Sequence, residues 1–161
     1  MRGTSRTSIN PLLRRIAHAP TALYRWHLGW LLGHRFILLV HAGRRTGLER
    51  RTVLEVVRYD ATTGEVVVMS GFGRKSDWYR NIQAHPARAV VVGRRSFAPM
   101  HRDLTPDEAV EAFADYERRN RVAAPVIRWV LSRLVGWRYT STEESRQRLV
   151  AELPLVLFAP K

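Results

Sequence analysis

The sequence lacks cysteine altogether. This absence excludes disulfide bonds, thiolate-bound metals and a cysteine nucleophile. Lysine is nearly absent as well, because only Lys75 and Lys161 are lysines among the 27 basic residues. Acidic residues number only 14, and the formal net charge is therefore +13. The guanidinium group pairs in bidentate fashion with phosphate and carboxylate, so this composition predicts an anionic partner: nucleic acid, an acidic membrane surface or a small polyanion.

Long apolar runs are also missing. No stretch approaches the roughly 20 uncharged apolar residues that a membrane-spanning helix requires. The first 20 residues are basic, but they lack the continuous apolar core and the cleavage site of a signal peptide. The six histidines show no HExxH or other paired ligand spacing, and we expect no metal site. We expect a cytoplasmic protein, with peripheral contact at the inner face of the membrane as an alternative.

The chain has the length and the apolar content of one domain. Residues 1–10 are polar, and their composition predicts a disordered tail. Residues 11–161 form the predicted single domain, which begins with a helix over residues 11–34. That helix carries Trp26 and Trp30 beside arginines. We expect it to pack across one end of the domain; an alternative is that it lies on an anionic membrane surface.

After residue 35 the hydrophobic period changes to two. Hairpin turns are predicted at Asp60–Gly64 and at Gly93-Arg94, which makes the middle of the chain an antiparallel meander. Six strands in one small domain favour a barrel, because closure removes exposed sheet edges. The predicted strands are residues 36–42, 51–60, 65–70, 87–92, 96–103 and 153–159.

Two helices are predicted in the second half of the chain. Thr105 and Glu108 have the spacing of a capping box, Pro106 suits the first helical position, and Asn120 is the predicted stop. A second helix is predicted over residues 125–137, with its end near Gly136.

The first candidate site is the cationic turn, which we define as residues 43–51. Glycines at both ends of its first half let the backbone turn sharply and approach a ligand closely. Guanidinium and hydroxyl donors surround the turn, an arrangement that predicts an anion cradle. A solvated hairpin with no ligand is the alternative. The donor side chains are Arg44, Arg45, Thr46, Arg50 and Arg51.

The second candidate site is the segment SGFGRKSDWYRNIQAHP, residues 70–86. Two glycines and two cations precede a short helix that Ser76 or Asp77 caps and His85-Pro86 ends. A helix N-terminus attracts anions, so this segment suits phosphate binding. Trp78 can wall a flat ring or pack in the core, and Asn81 can bind a ligand or tie down the loop. The candidate residues here are Gly71, Gly73, Arg74, Lys75, Trp78 and Asn81.

The order of these motifs resembles the deazaflavin-dependent nitroreductase family, the split β-barrel proteins that use the 8-hydroxy-5-deazaflavin coenzyme F420. The match covers roughly residues 36–120. Its most specific parts are GRRTG at 43–47 and the SGFG, WYRN and AHP elements of 70–86. The resemblance implies a mainly β fold with flanking helices, that is, a six-to-seven-stranded split β-barrel of the FMN-binding type.

The resemblance also implies a use for the charge. Coenzyme F420 carries a tricyclic ring, a ribityl chain, one phosphate and an oligoglutamate tail. By similarity, Arg45, Thr46 and Arg50 hold the phosphate, and Arg44 and Arg51 meet the acidic tail. Arg74 and Lys75 match the family's cationic loop, and Trp78 and Asn81 match its helix at the pocket rim. The stretch that lies against the ring in relatives corresponds to Val53 and Leu54, and Val53 replaces a proline often seen there.

The implied activity is hydride transfer from the reduced deazaflavin to an electron-poor small molecule such as an enone, a quinone or a nitro compound. Tyr116 and Tyr139 are candidates for a proton donor, because they fall where family members shape the substrate pocket; core packing is their alternative role. FMN is the alternative cofactor. A non-catalytic basic module that binds lipid or nucleic acid is the alternative function, although we expect no nucleic-acid partner. The pattern does not determine the oligomeric state.

Overall fold

The computed structural model describes residues 33–161. The tail predicted for residues 1–10 lies outside them, as does the helix predicted for residues 11–34 except for its last two residues, which form a turn. Within the described residues, no helix combines the length and the apolar character that crossing a bilayer requires.

In the described part of the chain, seven strands form one antiparallel sheet in the order β5-β4-β1-β2-β3-β7-β6. Only Ala98 separates β5 from β6, so a single bent segment pairs with β4 at one end of this order and with β7 at the other. The sheet therefore curls into a nearly closed barrel, and the predicted fold class is confirmed. The strands are β1 (Phe36–Ala42), β2 (Glu49–Tyr59), β3 (Val66–Met69), β4 (Ala89–Val92), β5 (Arg95–Phe97), β6 (Pro99–Asp103) and β7 (Leu155–Pro160).

Pro99 divides the strand that was predicted over residues 96–103. Proline has no N–H group and cannot continue a hydrogen-bonded ladder on both sides. Pro99 is buried opposite Pro160, and the Lys161 backbone N donates to the Ala98 carbonyl at 3.3 Å. The break lets the segment leave β4 and join β7, which closes the barrel.

Within residues 33–161, four helices flank the barrel. The predicted capping box is confirmed, since Glu108 N donates to Thr105 Oγ1 and Thr105 N donates to Glu108 Oε2. Asn120 and Gly136 end the two predicted helices. The helices are α1 (Asp77–Ala84), α2 (Pro106–Arg119), α3 (Ala124–Val135) and α4 (Glu143–Glu152), with 3-10 turns at Gly73–Lys75 and Arg121–Ala123.

The meander predicted for the middle of the chain extends only over β1 to β3. Strand β3 pairs with β7, and β4 returns to pair with β1. The connection between β3 and β4 contains α1, whose Trp78 and Ile82 pack into the barrel core. This long connection carries β4 away from β3. Local turn signals do not encode the resulting pairing of β4 with β1.

The core consists of two clusters, one on each face of the sheet. Val66 and Val68 point into the barrel, whereas Val67 between them points outward against the helices. Strand β7 alternates in the same way, with Phe158 inside and Leu157 outside. We call these the inner cluster and the outer cluster. The inner cluster supports α1 and β1, and these two elements hold the candidate site.

Candidate cofactor site

A cavity of about 380 Å³ lies between the cationic turn and α1. This volume is within the roughly 300–1,000 Å³ that small-molecule sites occupy. A second cavity, of about 500 Å³, lies at the opposite end of β2, where the carboxylates of Asp60 and Glu65 outnumber the single cation Arg58 and make it less suited to a polyanion. Predicted site residues that line the first cavity are Arg44, Arg45, Thr46, Arg50, Arg51, Trp78 and Asn81. Residues that were not predicted as cofactor contacts are His41, Gly43, Thr52 and Asp77.

The cationic turn is closed by its own backbone. Gly43 N donates to the Leu48 carbonyl at 2.8 Å, and Gly47 N donates to the Gly43 carbonyl at 2.7 Å. Gly47 has a φ of +66°, which glycine adopts without strain. The Thr46 hydroxyl accepts from Leu48 N at 3.3 Å, and a Cβ on Gly43 would lie 2.8 Å from that hydroxyl oxygen. Glycine at position 43 therefore leaves room for the Thr46 hydroxyl.

The four arginines of the turn divide into two pairs. Arg44 Nη1 lies 2.9 Å from Asp77 Oδ1, and Arg51 Nη2 lies 3.0 Å from Glu49 Oε1. Arg45 and Arg50 form no ion pair with any carboxylate of residues 33–161, and residues 1–32 contain no aspartate or glutamate. Two exposed guanidinium groups thus face the cavity with their charge uncompensated.

Asn81 connects the turn to α1. Its Oδ1 accepts from the Arg44 backbone N at 3.0 Å and from Arg44 Nη1 at 3.1 Å. Its Nδ2 lies 3.2 Å from His41 Nδ1 and donates to it. Because Asn81 is only 4% exposed, these partners account for its side chain. The structure therefore favours the second role considered for this residue, which is to tie down the loop.

His41 lies beneath the turn and was missed by the sequence reasoning. Since its Nδ1 accepts from Asn81, its Nε2 carries the proton and donates to Thr52 Oγ1 at 3.0 Å. Burial lowers the pKa of His41 below its ordinary value, and the nearby Arg50 charge adds to that decrease. His41 is therefore neutral at pH 7. The sequence does contain a signal for His41: the alternation of β1 places it on the inward face of the strand, two residues after Leu39.

Trp78 has both of the roles considered for it. It is 7% exposed and belongs to the inner cluster, and it also lines the cavity. The Tyr79 ring meets it edge-on, at a centroid distance of 6.0 Å. The indole is therefore held rigidly where it can form an apolar wall beside the cationic turn.

Arg74 does not line the cavity. Its Nη1 donates to the Tyr79 hydroxyl at 2.9 Å, and that hydroxyl donates to Asp103 Oδ2 at 2.5 Å. Burial and the Asp103 hydrogen bond raise the pKa of Tyr79 to about 12, which keeps the hydroxyl protonated as a donor. Arg74 therefore holds α1 against β6.

Five other predicted cofactor contacts also lie away from this cavity. A Cβ on Gly73 would lie 2.9 Å from the Glu152 carbonyl, so this glycine permits close approach to the end of α4. Leu54 belongs to the inner cluster and shares the face of β2 that carries Thr52. Val53 is on the opposite face of that strand. The structure brings neither Gly71 nor Lys75 to the cavity, and no side chain of these five residues is among those that line it.

The two tyrosines considered as proton donors lie in the outer cluster. The Tyr116 hydroxyl donates to Glu55 Oε1 at 2.8 Å, and burial followed by the Glu55 charge raises its pKa. Tyr139 is 2% exposed, and burial raises its pKa as well. Neither residue lines the cavity, and their role as proton donors stays a prediction.

Comparison with known proteins shows the family. A family model described as F420H(2)-dependent quinone reductase matches residues 20–128, which is more than half of the chain. The chain belongs to the F420H2-dependent quinone reductase family. This family consists of oxidoreductases, so the chain is an F420-dependent reductase by family, and the resemblance noted from the motifs is confirmed.

Several solved structures are similar to this chain at low sequence identity. A structure described as the F420-H2 dependent reductase FDR-A is 17% identical, with a TM-score of 0.49; the match covers 78% of this chain and 95% of that one. Protein Atu2129 of Agrobacterium tumefaciens, of unknown function, is 16% identical with a TM-score of 0.50, covering 93% of this chain and 56% of that one. A chain described as a domain-swapped dimer is 17% identical with a TM-score of 0.43, covering 87% and 99%. No curated protein matches the sequence.

Proposed function

We propose that this protein binds coenzyme F420 in the cavity beside the cationic turn and reduces an electron-poor small molecule: an enone, a quinone or a nitro compound. The observation that carries this proposal is the pair of uncompensated guanidinium groups, Arg45 and Arg50, at the mouth of a cavity of small-molecule size. The proposal assumes one domain over residues 11–161. A cytoplasmic location stays a prediction.

The donors at this cavity fit a phosphate-bearing cofactor. Arg45 and Arg50 supply guanidinium donors, and Thr46 supplies a hydroxyl. Arg44 and Arg51 are paired with acids whose side chains are 83% and 42% exposed. Exposed pairs contribute little to stability, so Arg51 can exchange Glu49 for a carboxylate of an acidic tail, and Arg44 can exchange Asp77 while it keeps its hydrogen bond to Asn81.

The protein's part in catalysis is to bind and orient. When bound, the reduced deazaflavin supplies a hydride from C5 of its ring. The turn would fix the phosphate, and Trp78 would limit the ring's position from the α1 side. His41 and Thr52 form a hydrogen bond at the cavity wall. Neutral His41 adds no charge there. No covalent nucleophile is required of the chain.

FMN is the alternative cofactor, because it also carries a tricyclic ring and a phosphate. It has no oligoglutamate tail, however, and would leave Arg44 and Arg51 with their internal partners. The number of cations around the cavity therefore favours the deazaflavin. Under this proposal F420 binds more tightly than FMN, and the difference decreases when Arg44 and Arg51 are replaced.

The decisive experiment is a binding titration of F420 against the Arg45→Ala/Arg50→Ala double variant, followed by tryptophan fluorescence. A hydrogen bond to a charged group contributes about 1.5–3 kcal/mol, and tenfold in affinity corresponds to about 1.4 kcal/mol. Loss of two such bonds predicts a Kd at least ~100-fold higher.

The matched control is Arg118→Ala/Arg148→Ala, which removes the same charge from two exposed, ion-paired arginines on α2 and α4. We expect this control to bind F420 with a Kd within about threefold of the wild type. If Arg45→Ala/Arg50→Ala bound like the control, the phosphate site would be elsewhere. If the wild type bound FMN more tightly than F420, the cofactor assignment would be wrong. Consumption of F420H2 with an enone, a quinone and a nitro acceptor then identifies the substrate class.

A further inference from the structure

Helix α3 exposes apolar side chains on its outward face. Val126 and Trp129 are 63% and 54% exposed, and Val122 in the preceding turn is 93% exposed. Their spacing of four and three places them on one side of the helix. The inward side packs Leu131 and Ile127 into the outer cluster. Helix α3 is therefore apolar on both sides.

The other flanking helices differ from α3. The outward positions of α2 include Asp107 and Glu111, and those of α4 include Glu144 and Arg148, all exposed. Single exposed apolar residues are common on protein surfaces, but several on one helix face indicate an interaction site. The α3 face, which we define as Val122, Val126, Trp129 and Arg133, is such a surface.

The segment that carries the α3 face is basic along the chain, although Arg118 at its start pairs with Asp115 on α2. Residues 118–142 contain no aspartate or glutamate. The Arg133 guanidinium lies 5.7 Å from the Trp129 ring centroid, so a cation accompanies the largest apolar side chain. A partner for this face must therefore accept apolar side chains in the middle and carry negative charge around them. The arginines of this segment are Arg118, Arg119, Arg121, Arg128, Arg133 and Arg138.

We propose that the α3 face docks this protein on an anionic lipid surface. Interfacial helices combine tryptophan and aliphatic residues, which enter the boundary between headgroups and acyl chains, with arginines that meet lipid phosphates. The α3 face has this composition. This inference goes beyond the proposed function and does not depend on the cofactor.

Other occupants fit the α3 face less well. A second copy in a twofold arrangement would place arginines against arginines. Residues 1–32 contain five arginines and no acid, so they offer no complementary charge either. Nucleic acid offers the charge, but Val122 and Val126 can neither hydrogen-bond to phosphate nor stack on bases.

The test is co-sedimentation of the full chain with vesicles of phosphatidylcholine mixed with phosphatidylserine, and with vesicles of phosphatidylcholine alone. We expect binding to the mixed vesicles only, and weaker binding at high salt. Trp129→Ser should weaken binding roughly tenfold. The control is Met100→Ser, which removes an equally exposed apolar side chain, 56% exposed, from β6 and should leave binding unchanged.

A second variant, Val126→Glu, places an acid on the α3 face and should abolish binding, while circular dichroism shows that the fold is retained. The proposal is overturned if mixed vesicles do not bind, if neutral vesicles bind equally well, or if Trp129→Ser behaves like Met100→Ser. It is equally overturned if Trp129→Ser disrupts a dimer or the binding of a DNA duplex and leaves vesicle binding intact.

Discussion

Arg44 and Arg45 are adjacent in the sequence and yet have different surroundings. Arg44 reaches back to Asn81 and Asp77, whereas Arg45 has no acidic partner among residues 33–161. The sequence motif predicts both as anion ligands, because it reports residue type and not partners. The structure divides them into Arg44, which fixes the turn to α1 through Asn81 and meets a ligand only by giving up Asp77, and Arg45, which has no acidic partner to give up.

Asn81 is the residue on which this arrangement depends most. We expect Asn81→Ala to lower the free energy of unfolding by about 2–3 kcal/mol, because it leaves His41 Nδ1 and the Arg44 backbone N without their partners. Urea denaturation measures the change. Gln83→Ala is the control on the same helix, since Gln83 is exposed and makes only a 3.4 Å contact with Asp103, and should cost less than about 0.5 kcal/mol. Equal costs for the two variants would contradict the role assigned to Asn81.

At the scale of elements, the cationic turn is a self-supporting unit. Gly43 and Thr46 share one constraint, because a Cβ at position 43 displaces the Thr46 hydroxyl that accepts from Leu48 N. We expect Gly43→Ala and Thr46→Ala each to lower the free energy of unfolding by about 1 kcal/mol, since each loses this hydrogen bond. The measurement is urea denaturation of the two single variants and the double variant.

The double variant Gly43→Ala/Thr46→Ala supplies the critical comparison. Both substitutions remove the same hydrogen bond. We therefore expect the free energy of unfolding of the double variant to equal that of the less stable single variant. Additive losses would show that Gly43 is required for a reason other than contact with Thr46.

Helices and strands whose ends are marked by nearby residues were predicted correctly from the sequence. The capping residues of α2 and the left-handed Gly136 at the end of α3 mark helix ends in the sequence, and β1 has the predicted bounds. Helix α4 was missed although Thr142 caps it, because its few apolar residues give a weak periodic signal. The pairing of β4 with β1 was missed because it depends on the whole connection through α1.

At the scale of the whole molecule, folding stability should depend on pH through buried His41 and half-buried His101. Burial lowers the pKa of His41 and that of His101 below the ordinary value of 6.5. The unfolded chain therefore takes up protons at a higher pH than the folded chain. The free energy of unfolding is then highest above about pH 6.5, and it decreases as the pH falls through the lower folded-state pKa values.

Denaturant unfolding at pH 7.5 and pH 5.5 checks this expectation. We expect a lower unfolding free energy at pH 5.5 in the wild type, and a smaller difference between the two pH values in the variant His41→Gln/His101→Gln. Glu108, which pairs with Arg102, and Asp60, which accepts from the backbone of Thr62 and Thr63, do not interfere, because these hydrogen bonds hold their pKa values below the ordinary range. An unchanged difference in the double variant would assign the pH dependence to other groups.

The sequence by itself determined most of the strands, the ends of α2 and α3, the glycines of the turn and the choice of arginine as its cation, because these depend on period, backbone freedom and side-chain chemistry within a few residues. Only the tertiary structure decided which arginines face the cavity without partners, that Arg74 belongs to the Tyr79–Asp103 contact, and that His41 lies under the turn. The physical reason is that ion pairing and burial are set by distances between atoms far apart in the chain. Barrel closure through the bent β5–β6 segment brings those atoms together.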